Sequence, residues 1–288
     1  MAELLYGKPA ADALTAETRR RADMLREKDV LPKLVILRYG ENEADGAYIR
    51  GAMKRGRLCG VDVELRTLAE NVSADELARA LEAVNSDNGI HGCLLLRPLP
   101  EHLKAMESKL CALLDPKKDV DGMTPVSAAG VFTGGGQGFP PCTAQACMAL
   151  LDYYHIDSAG KIATVIGRSA VVGRPAAMLL LARNATVTVC HTGTKDVAAV
   201  TREADIIITA AGAAGSLTAA HVRPGQVVVD VSTNWNGVSL CGDAVFDDVS
   251  QIVEAITPVP GGVGAVTSAV LMAHTVRAAE YLTGEDGL

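Results

Sequence analysis

The stretch 165–175, VIGRSAVVGRP, decides the fold of the C-terminal half of this 288-residue chain. An apolar run at 162–166 predicts a strand before it, and an Ala- and Leu-rich segment at 175–183 predicts a helix after it. Gly167 and Gly173 flank the turn but do not reproduce the GxGxxG spacing. The context still predicts a strand–turn–helix loop whose backbone amides bind a pyrophosphate. An ordinary βα turn without a ligand is the alternative.

The residues around this loop favour NADP over NAD. The next predicted strand, TVTVC at 186–190, is followed by His191 and Thr192, without the carboxylate that often holds the ribose 2′-hydroxyl of NAD. Arg168, Ser169 and Arg174, with Thr192, can supply donors to a 2′-phosphate instead. Arg174 can also be read as an ordinary exposed arginine at a helix start.

In the rest of the chain, predicted strands and helices also alternate. Before residue 100 the pattern predicts helices at 8–28, 41–58 and 73–84 and strands at 34–37, 61–65 and 92–96, an alternation that indicates a parallel sheet. Residues 117–141 are rich in Gly and Pro and read as a long irregular crossing between two domains. Beyond it we predict a helix at 143–154, strands at 205–210 and 227–231, and a last helix at 267–281.

Composition narrows the class of protein. Apolar residues make up 49% of the chain and aromatic residues 3%, which is typical of a helix-rich α/β protein. The net charge of −7 and the lack of a long basic run argue against a nucleic-acid partner. Seven cysteines without a CxxC pair, and histidines without suitably spaced partners, indicate neither disulfides nor a metal site. With no signal or membrane segment in the pattern, we expect a cytoplasmic protein.

Several motifs coincide in order and spacing. They are GRSAVVGRP, NATVTVCH, ADIIITAAG, GQVVVDV and TPVPGGVGAVT in the second half, and the YI at Tyr48, GCLLLRPLP, PKKDVDG and PCTA in the first. Together they resemble the methylenetetrahydrofolate dehydrogenase/cyclohydrolase family, the bifunctional FolD type. The resemblance covers nearly the whole chain.

The resemblance implies an N-terminal α/β folate-side domain, residues 1–142 and 263–288, and a Rossmann-type NADP-binding domain, residues 143–262. The last helix would return to the first domain, the active site would lie between the domains, and the protein would be a homodimer. Family members oxidise 5,10-methylenetetrahydrofolate to 5,10-methenyltetrahydrofolate with NADP, and most hydrolyse the product to 10-formyltetrahydrofolate. The substrate implied is therefore a tetrahydrofolate derivative.

The resemblance also assigns residues. Tyr48 matches the tyrosine that stacks on the folate rings, and Asp121 matches the aspartate that hydrogen-bonds the pterin end; these are the expected catalytic residues. The expected substrate-binding set adds the turn Pro260, Gly261 and Gly262. The expected cofactor-binding set is Gly167, Arg168, Ser169, Gly173, Arg174, His191, Thr192 and Gly212.

The chain departs from the family pattern on the folate side. The family's lysine four residues after the tyrosine is Ala52 here, and the glutamine of its V-Q-L-P is Leu96, followed by Arg97 in place of leucine. Positions i and i+4 share a helix face, whereas Lys54, six residues after Tyr48, points away from it. Asp45, Ala144 and Ala265 also replace family residues.

The replacement of the lysine and the glutamine predicts which of the two activities is reduced. Hydride transfer requires proximity and orientation, whereas hydrolysis requires an activated water and proton transfers. We therefore expect a dehydrogenase with weak or absent cyclohydrolase activity. Two alternatives stay open: a dehydrogenase of another one-carbon carrier, in which Arg97 pairs with a carboxylate, and a non-enzymatic degenerate paralogue.

Overall fold

The computed structural model describes residues 1–41 and 43–284. It divides into two compact units. The N-terminal unit comprises Asp12–Cys142 and the chain from Ser268 onward, and the C-terminal unit comprises Met1–Ala11 and Thr143–Thr267. The predicted two-domain α/β fold is confirmed. Asn42, inside a predicted helix, and residues 285–288, at the end of the predicted folate-side domain, lie outside the described residues.

Eleven strands and ten α-helices are described, most of them short. In chain order they are β1 (Glu3–Leu4), α1 (Gly7–Arg26), β2 (Lys33–Tyr39), α2 (Glu43–Cys59), β3 (Asp62–Leu68), α3 (Ala74–Ser86), β4 (Gly92–Leu95), α4 (Glu107–Cys111), α5 (Pro125–Thr133), α6 (Cys142–Tyr153), β5 (Ile162–Ile166), α7 (Gly173–Ala182), β6 (Thr186–Cys190), α8 (Val197–Glu203), β7 (Ile206–Thr209), β8 (Val227–Asp230), β9 (Asn234–Trp235), β10 (Leu240–Cys241), α9 (Phe246–Val249), β11 (Ala255–Ile256) and α10 (Gly264–Thr283).

The N-terminal unit is built on a three-stranded parallel sheet in the order β3-β2-β4. The central strand β2 is buried from Leu34 to Leu37, as its continuous apolar run predicts. Helix α3 begins with a capping box, in which the Ser73 and Glu76 side chains each accept a hydrogen bond from the other residue's backbone amide. The strands and helices predicted before residue 100 are confirmed to within a few residues.

The sequence prediction of a long irregular crossing at 117–141 is wrong. It contains the helix α5 and belongs to the N-terminal unit up to Cys142. The Thr124 side chain accepts a hydrogen bond from the Ser127 amide and caps the helix, Pro125 opens it, and Gly134 ends it with a left-handed φ of 67°. These signals were present in the sequence, but the glycine cluster after them favoured a linker.

The C-terminal unit contains a six-stranded parallel sheet in the order β1-β11-β8-β7-β5-β6. The predicted strands of this half are confirmed, β6 with its predicted bounds. The sheet gains two strands that the sequence did not predict, β1 and β11, which pair with each other through backbone hydrogen bonds, and β11 pairs with β8. Residues 1–11 therefore lie in this unit, whereas the predicted boundaries put them in the first domain. Two-residue strands are too short to show a period-2 pattern.

The last helix, α10, starts three residues before its predicted start and connects the two units in sequence. From Ser268 onward it belongs to the N-terminal unit, where Glu280 accepts a hydrogen bond of 2.8 Å from the Nε of Arg21 on α1. The prediction that this helix packs on the first domain is confirmed. No helix within the described residues combines the length and apolar character that crossing a membrane requires.

Candidate active site

The dinucleotide loop follows β5, where two glycines are required by close backbone approaches. Gly167 has a φ of +118°, and a Cβ there would lie 2.3 Å from the carbonyl oxygen of Ala210, in the loop after β7. A Cβ on Gly173 would lie 2.2 Å from the carbonyl oxygen of Gly167. Any side chain at either position would push the loop out of place.

The start of α7 is shaped to receive an anion. The hydroxyl of Ser169 accepts hydrogen bonds from the amides of Val172 (3.1 Å) and Gly173 (3.3 Å), which closes the turn before the helix. Arg168 and Arg174 are exposed beside it. A helix N-terminus flanked by two arginines and approached by a side-chain-free backbone fits the phosphates of a dinucleotide.

The turn after β6 holds the next two predicted cofactor residues. The amide of His191 donates to the hydroxyl of Thr194 (3.0 Å), and the amide of Gly193 donates to Nδ1 of the His191 ring (3.1 Å), so Thr192 is held at an exposed tip. The carboxylate that follows in sequence, Asp196, accepts the amide of Ala199 and caps α8. This geometry agrees with the sequence argument for a 2′-phosphate at this turn.

A buried carboxylate that sequence reasoning missed fixes the remaining loop. Asp243 is fully buried and accepts hydrogen bonds from the amides of Ala211 (2.7 Å) and Ala213 (2.8 Å), on either side of the predicted cofactor residue Gly212. It also accepts one from the hydroxyl of Ser232 (2.8 Å), which in turn accepts from the amide of Gly212 (3.1 Å). Asp243 therefore joins the loops after β7 and β8, a role that no local sequence motif predicts.

The predicted substrate turn Pro260, Gly261 and Gly262 lies in the C-terminal unit, just after β11. Gly261 has a φ of +107°, and its carbonyl oxygen accepts a hydrogen bond from the amide of Gly7 (2.8 Å). A Cβ on Gly262 would lie 2.6 Å from the carbonyl oxygen of Pro258. The glycine pair is thus required by the path of the backbone as well as by any ligand.

In the N-terminal unit, helix α2 carries Tyr48, Ala52 and Lys54. The Tyr48 side chain is partly exposed, at 37%. Burial around its hydroxyl and the neighbouring Cys142 and Asp121 raise the pKa of Tyr48, so the phenol stays protonated at neutral pH. Ala52 is fully buried and Lys54 is exposed, so the lysine lies off the face of α2 that carries Ala52.

Asp121 lies close to Arg97, which follows β4. Nη2 of Arg97 is 3.8 Å from Oδ2 of Asp121, and the two side chains are only 23% and 21% exposed. Burial raises the pKa of Asp121 to about 6, and the Arg97 guanidinium and the nearby Cys142 limit the rise. The carboxyl group is therefore mostly ionised at neutral pH, beside a partly buried cation.

The segment that carries Asp121 is held by its neighbours in the KDVDG motif. The ammonium of Lys118 donates to three carbonyl oxygens at the end of α3, those of Val84, Asn85 and Asp87, at 2.7–3.0 Å. Asp119 is fully buried and accepts hydrogen bonds from the amides of Met123 and Thr124, just before α5, and from the hydroxyl of Ser127. These contacts fix the backbone on the N-terminal side of Asp121.

Two buried groups next to Asp121 were not assigned a role from the sequence. The thiol of Cys142 donates to the carbonyl oxygen of Val120 (3.3 Å), and burial raises its pKa well above the usual value. Nδ1 of His274 also donates to that oxygen (2.9 Å), and burial lowers the pKa of His274 to about 4. Both groups are neutral at physiological pH, so they shape the site without carrying charge. The PCTA motif was the signal for Cys142.

A cavity of about 560 Å³ opens next to this cluster. Leu96 and Arg97 line it, together with Asp45 and the phenol of Tyr39, whose hydroxyl is buried and has no hydrogen-bond partner among the described residues. Three further carboxylates line it: Glu41, Glu70 and Glu101. The cavity wall therefore carries more acidic than basic side chains, and Leu96, Pro98 and Pro100 form its apolar part. No group of three potential metal ligands is found in the described part of the chain.

Comparisons with known proteins agree with this geometry. The family model for the tetrahydrofolate dehydrogenase/cyclohydrolase catalytic domain matches residues 5–121, and the model for the NAD(P)-binding domain of the same family matches residues 141–283. The bifunctional protein FolD of Carboxydothermus hydrogenoformans is 47% identical over 287 residues, which cover 99% of each chain. This chain belongs to the tetrahydrofolate dehydrogenase/cyclohydrolase family.

Solved structures of the family have the same fold. The bifunctional FolD enzyme of Campylobacter jejuni superposes with a TM-score of 0.93 at 38% identity and covers 98% of this chain and 99% of its own. The Trypanosoma brucei enzyme, solved with NADP cofactor and an inhibitor, has a TM-score of 0.89 at 31% identity, with 97% and 98% covered. Family membership confirms the predicted nicotinamide-dinucleotide domain.

Proposed function

We propose that this chain oxidises 5,10-methylenetetrahydrofolate to 5,10-methenyltetrahydrofolate with NADP, and that its cyclohydrolase activity is weak or absent. The observation that supports the proposal is the contrast between the two units. The dinucleotide loop keeps the glycines and donors that a cofactor requires, whereas Ala52 and Leu96 replace the family's lysine and glutamine.

NADP would be held by the C-terminal unit and would accept the hydride. The amides at the start of α7 and the guanidinium groups of Arg168 and Arg174 suit its phosphates. Thr192, at the exposed turn after β6, has no neighbouring carboxylate that would repel a 2′-phosphate before Asp196, which caps α8. Asp243 would keep Gly212 in place on the cofactor side.

The residues kept in the N-terminal unit suit orientation of the folate. The partly exposed ring of Tyr48 offers a stacking surface, and the Asp121 carboxylate is an acceptor for N–H groups of the pterin. Hydride loss leaves a cation delocalised over two nitrogens, and this step requires no general acid or base. Correct placement accounts for most of what a protein adds to such a step.

Hydrolysis requires more than this site offers. Water must be activated and added to the methenyl cation, and protons must move before the ring opens; a positioned acid or base contributes roughly 10²–10⁴-fold to such steps. Ala52 and Leu96 bring no polar group, Tyr48 stays protonated, and Cys142 and His274 are neutral and donate to a backbone carbonyl. The cyclohydrolase reaction is therefore the one that should fail.

The setting of the enzyme is part of the proposal. We propose a homodimer, as the family resemblance implies. We also propose a cytoplasmic location, because all seven cysteines are free thiols and six of them are buried, which suits a reducing compartment.

A dehydrogenase of another one-carbon carrier is the second candidate. The observation that favours it is the cavity lined by Leu96, where Asp45 and three glutamates line the wall together with Arg97. A carrier with a cationic or differently substituted pterin would suit such a wall. The same Tyr48 and Asp121 would still orient its ring system.

Thermal shifts and turnover together test the proposal. A ligand that binds the native state raises the melting temperature. We expect shifts with NADP and with tetrahydrofolate, and NADPH formation from methylenetetrahydrofolate that exceeds NADH formation from NAD. A shift with NADP alone, without turnover, would favour the other carrier. Absence of both shifts would favour a non-enzymatic paralogue and would contradict the proposal.

A further inference from the structure

The folate-side site of this chain carries a cation at a different position from the family pattern. The family's lysine on α2 is absent, since Ala52 occupies its position, and the leucine that follows the family's glutamine is Arg97 here. Arg97 does not extend into solvent as a surface arginine would. It is 23% exposed, and its Nη2 lies 3.8 Å from Oδ2 of Asp121.

We propose that Arg97 is a positioning residue that holds Asp121 as a carboxylate toward the substrate, and so replaces the lysine as the cation of this site. This inference rests on the proposed function, because it takes Asp121 as the acceptor for the folate. At 3.8 Å the contact is an ion pair and not a hydrogen bond. The carboxylate oxygens therefore keep the capacity to accept N–H groups from a ligand.

The groups around Asp121 show why a cation is needed. Burial and the neighbouring Asp119 disfavour the charged carboxylate, while Arg97, after β4, and the Cys142 thiol, on α6, favour it. Tyr48 faces it from α2 as a neutral phenol, and His274, on α10, is neutral and donates to the Val120 carbonyl. Arg97 is thus the one full positive charge among these described neighbours.

The sign of the effect follows from these neighbours. The pKa of Asp121, about 6 with Arg97 in place, would rise without the guanidinium. An opposite charge at this distance lowers a carboxyl pKa by about 1 or more. Removing it would leave a growing fraction of Asp121 protonated near neutral pH. A protonated carboxyl is a weaker acceptor, so substrate binding should weaken as the pH falls.

The test compares Arg97→Gln, Arg97→Leu and Arg97→Lys with the wild-type enzyme. We expect kcat/KM for methylenetetrahydrofolate, at saturating NADP, to fall below a pH of about 6 in the wild type. In the Gln and Leu variants the acid limb should move up by about one pH unit, which is about a threefold loss at pH 6.5, mainly through KM. The Lys variant should restore most of the wild-type profile. Lys54→Gln removes an exposed cation from α2 and should leave the profile unchanged.

A second measurement does not depend on activity. With ¹³C-labelled aspartate carboxyl groups, the resonance that disappears in Asp121→Asn identifies Asp121, and its titration is followed by NMR in the wild type and in Arg97→Gln. A higher midpoint in the variant supports the proposal. An unchanged midpoint, or a shifted midpoint with an unchanged KM and acid limb, would overturn it. A wild-type enzyme without dehydrogenase activity would overturn the proposed function, and the NMR titration would still decide whether Arg97 controls Asp121.

Discussion

The loop after β5 and the pocket after β4 lie at equivalent places, the carboxyl ends of parallel strands, but they are constrained in different ways. Around the first, backbone atoms lie 2.2–2.3 Å from the position of a hypothetical Cβ on Gly167 and Gly173, which explains why both residues must be glycines. Around the second, Ala52, Leu96 and Arg97 stand where the family resemblance predicts lysine, glutamine and leucine. Close backbone approaches constrain the loop after β5, whereas the positions singled out beside the pocket after β4 differ in their side chains.

That difference underlies the proposed separation of the two reactions of the family. Under the proposed function, hydride transfer would depend on the dinucleotide loop and on the groups that orient the folate. Hydrolysis would depend on polar side chains that Ala52 and Leu96 do not supply. Replacing a polar pair by an apolar pair is therefore expected to reduce hydrolysis more than hydride transfer.

Restoring the polar pair gives the largest expected effect. In Ala52→Lys with Leu96→Gln, hydrolysis of methenyltetrahydrofolate should rise by about 10²-fold relative to dehydrogenation. The control is Ala52→Met with Leu96→Met, which adds similar volume without polar groups. Because Ala52 is fully buried, folding of the double variant is checked by its melting temperature, and Leu96→Gln alone provides a second variant. A folded double variant that transfers hydride without any gain in hydrolysis would contradict the roles given to these positions.

Adding a side chain to the dinucleotide loop should reduce the affinity for NADP, by a smaller factor than the gain in hydrolysis expected above. Gly167→Ala should weaken NADP binding by about tenfold or more, because a φ of +118° and a 2.3 Å approach to the Ala210 carbonyl strain the loop. Gly160→Ala is the matched control, since Gly160 has a φ of +72° with nothing within 4 Å of a Cβ. It should lose some stability but no NADP affinity, as measured by isothermal titration calorimetry. Equal losses of affinity would mean that the close approach has no special role.

Sequence patterns predicted most of the fold because long amphipathic or apolar elements carry their own signal. Strand β6 and the capping box at Ser73 could be identified from a few residues. The pairing of β1 with β11 could not, because two residues of backbone pairing leave no periodicity. Helix α5 was missed although Thr124, Pro125 and Gly134 marked its ends, because the glycines beyond it indicated a linker.

The site could be predicted in part for a similar reason. The motifs identified Tyr48 and Asp121 as candidate site residues. Helix geometry predicted that Lys54 points away from the face of α2 that carries Ala52, and in the structure Lys54 is exposed whereas Ala52 is buried. The Arg97–Asp121 pair joins residues 24 positions apart, and Asp243 bonds to the loops after β7 and β8 and to Asn234 on β9. Contacts of this kind depend on the tertiary fold, and no spacing rule describes them.

The separation of the two activities is tested most directly in one cuvette. Purified protein is mixed with methylenetetrahydrofolate and NADP, and the absorbances of NADPH and of methenyltetrahydrofolate are followed together with the formation of 10-formyltetrahydrofolate. We expect methenyltetrahydrofolate to accumulate in step with NADPH and to decay no faster than without enzyme. Conversion to the formyl compound as fast as NADPH appears would contradict it.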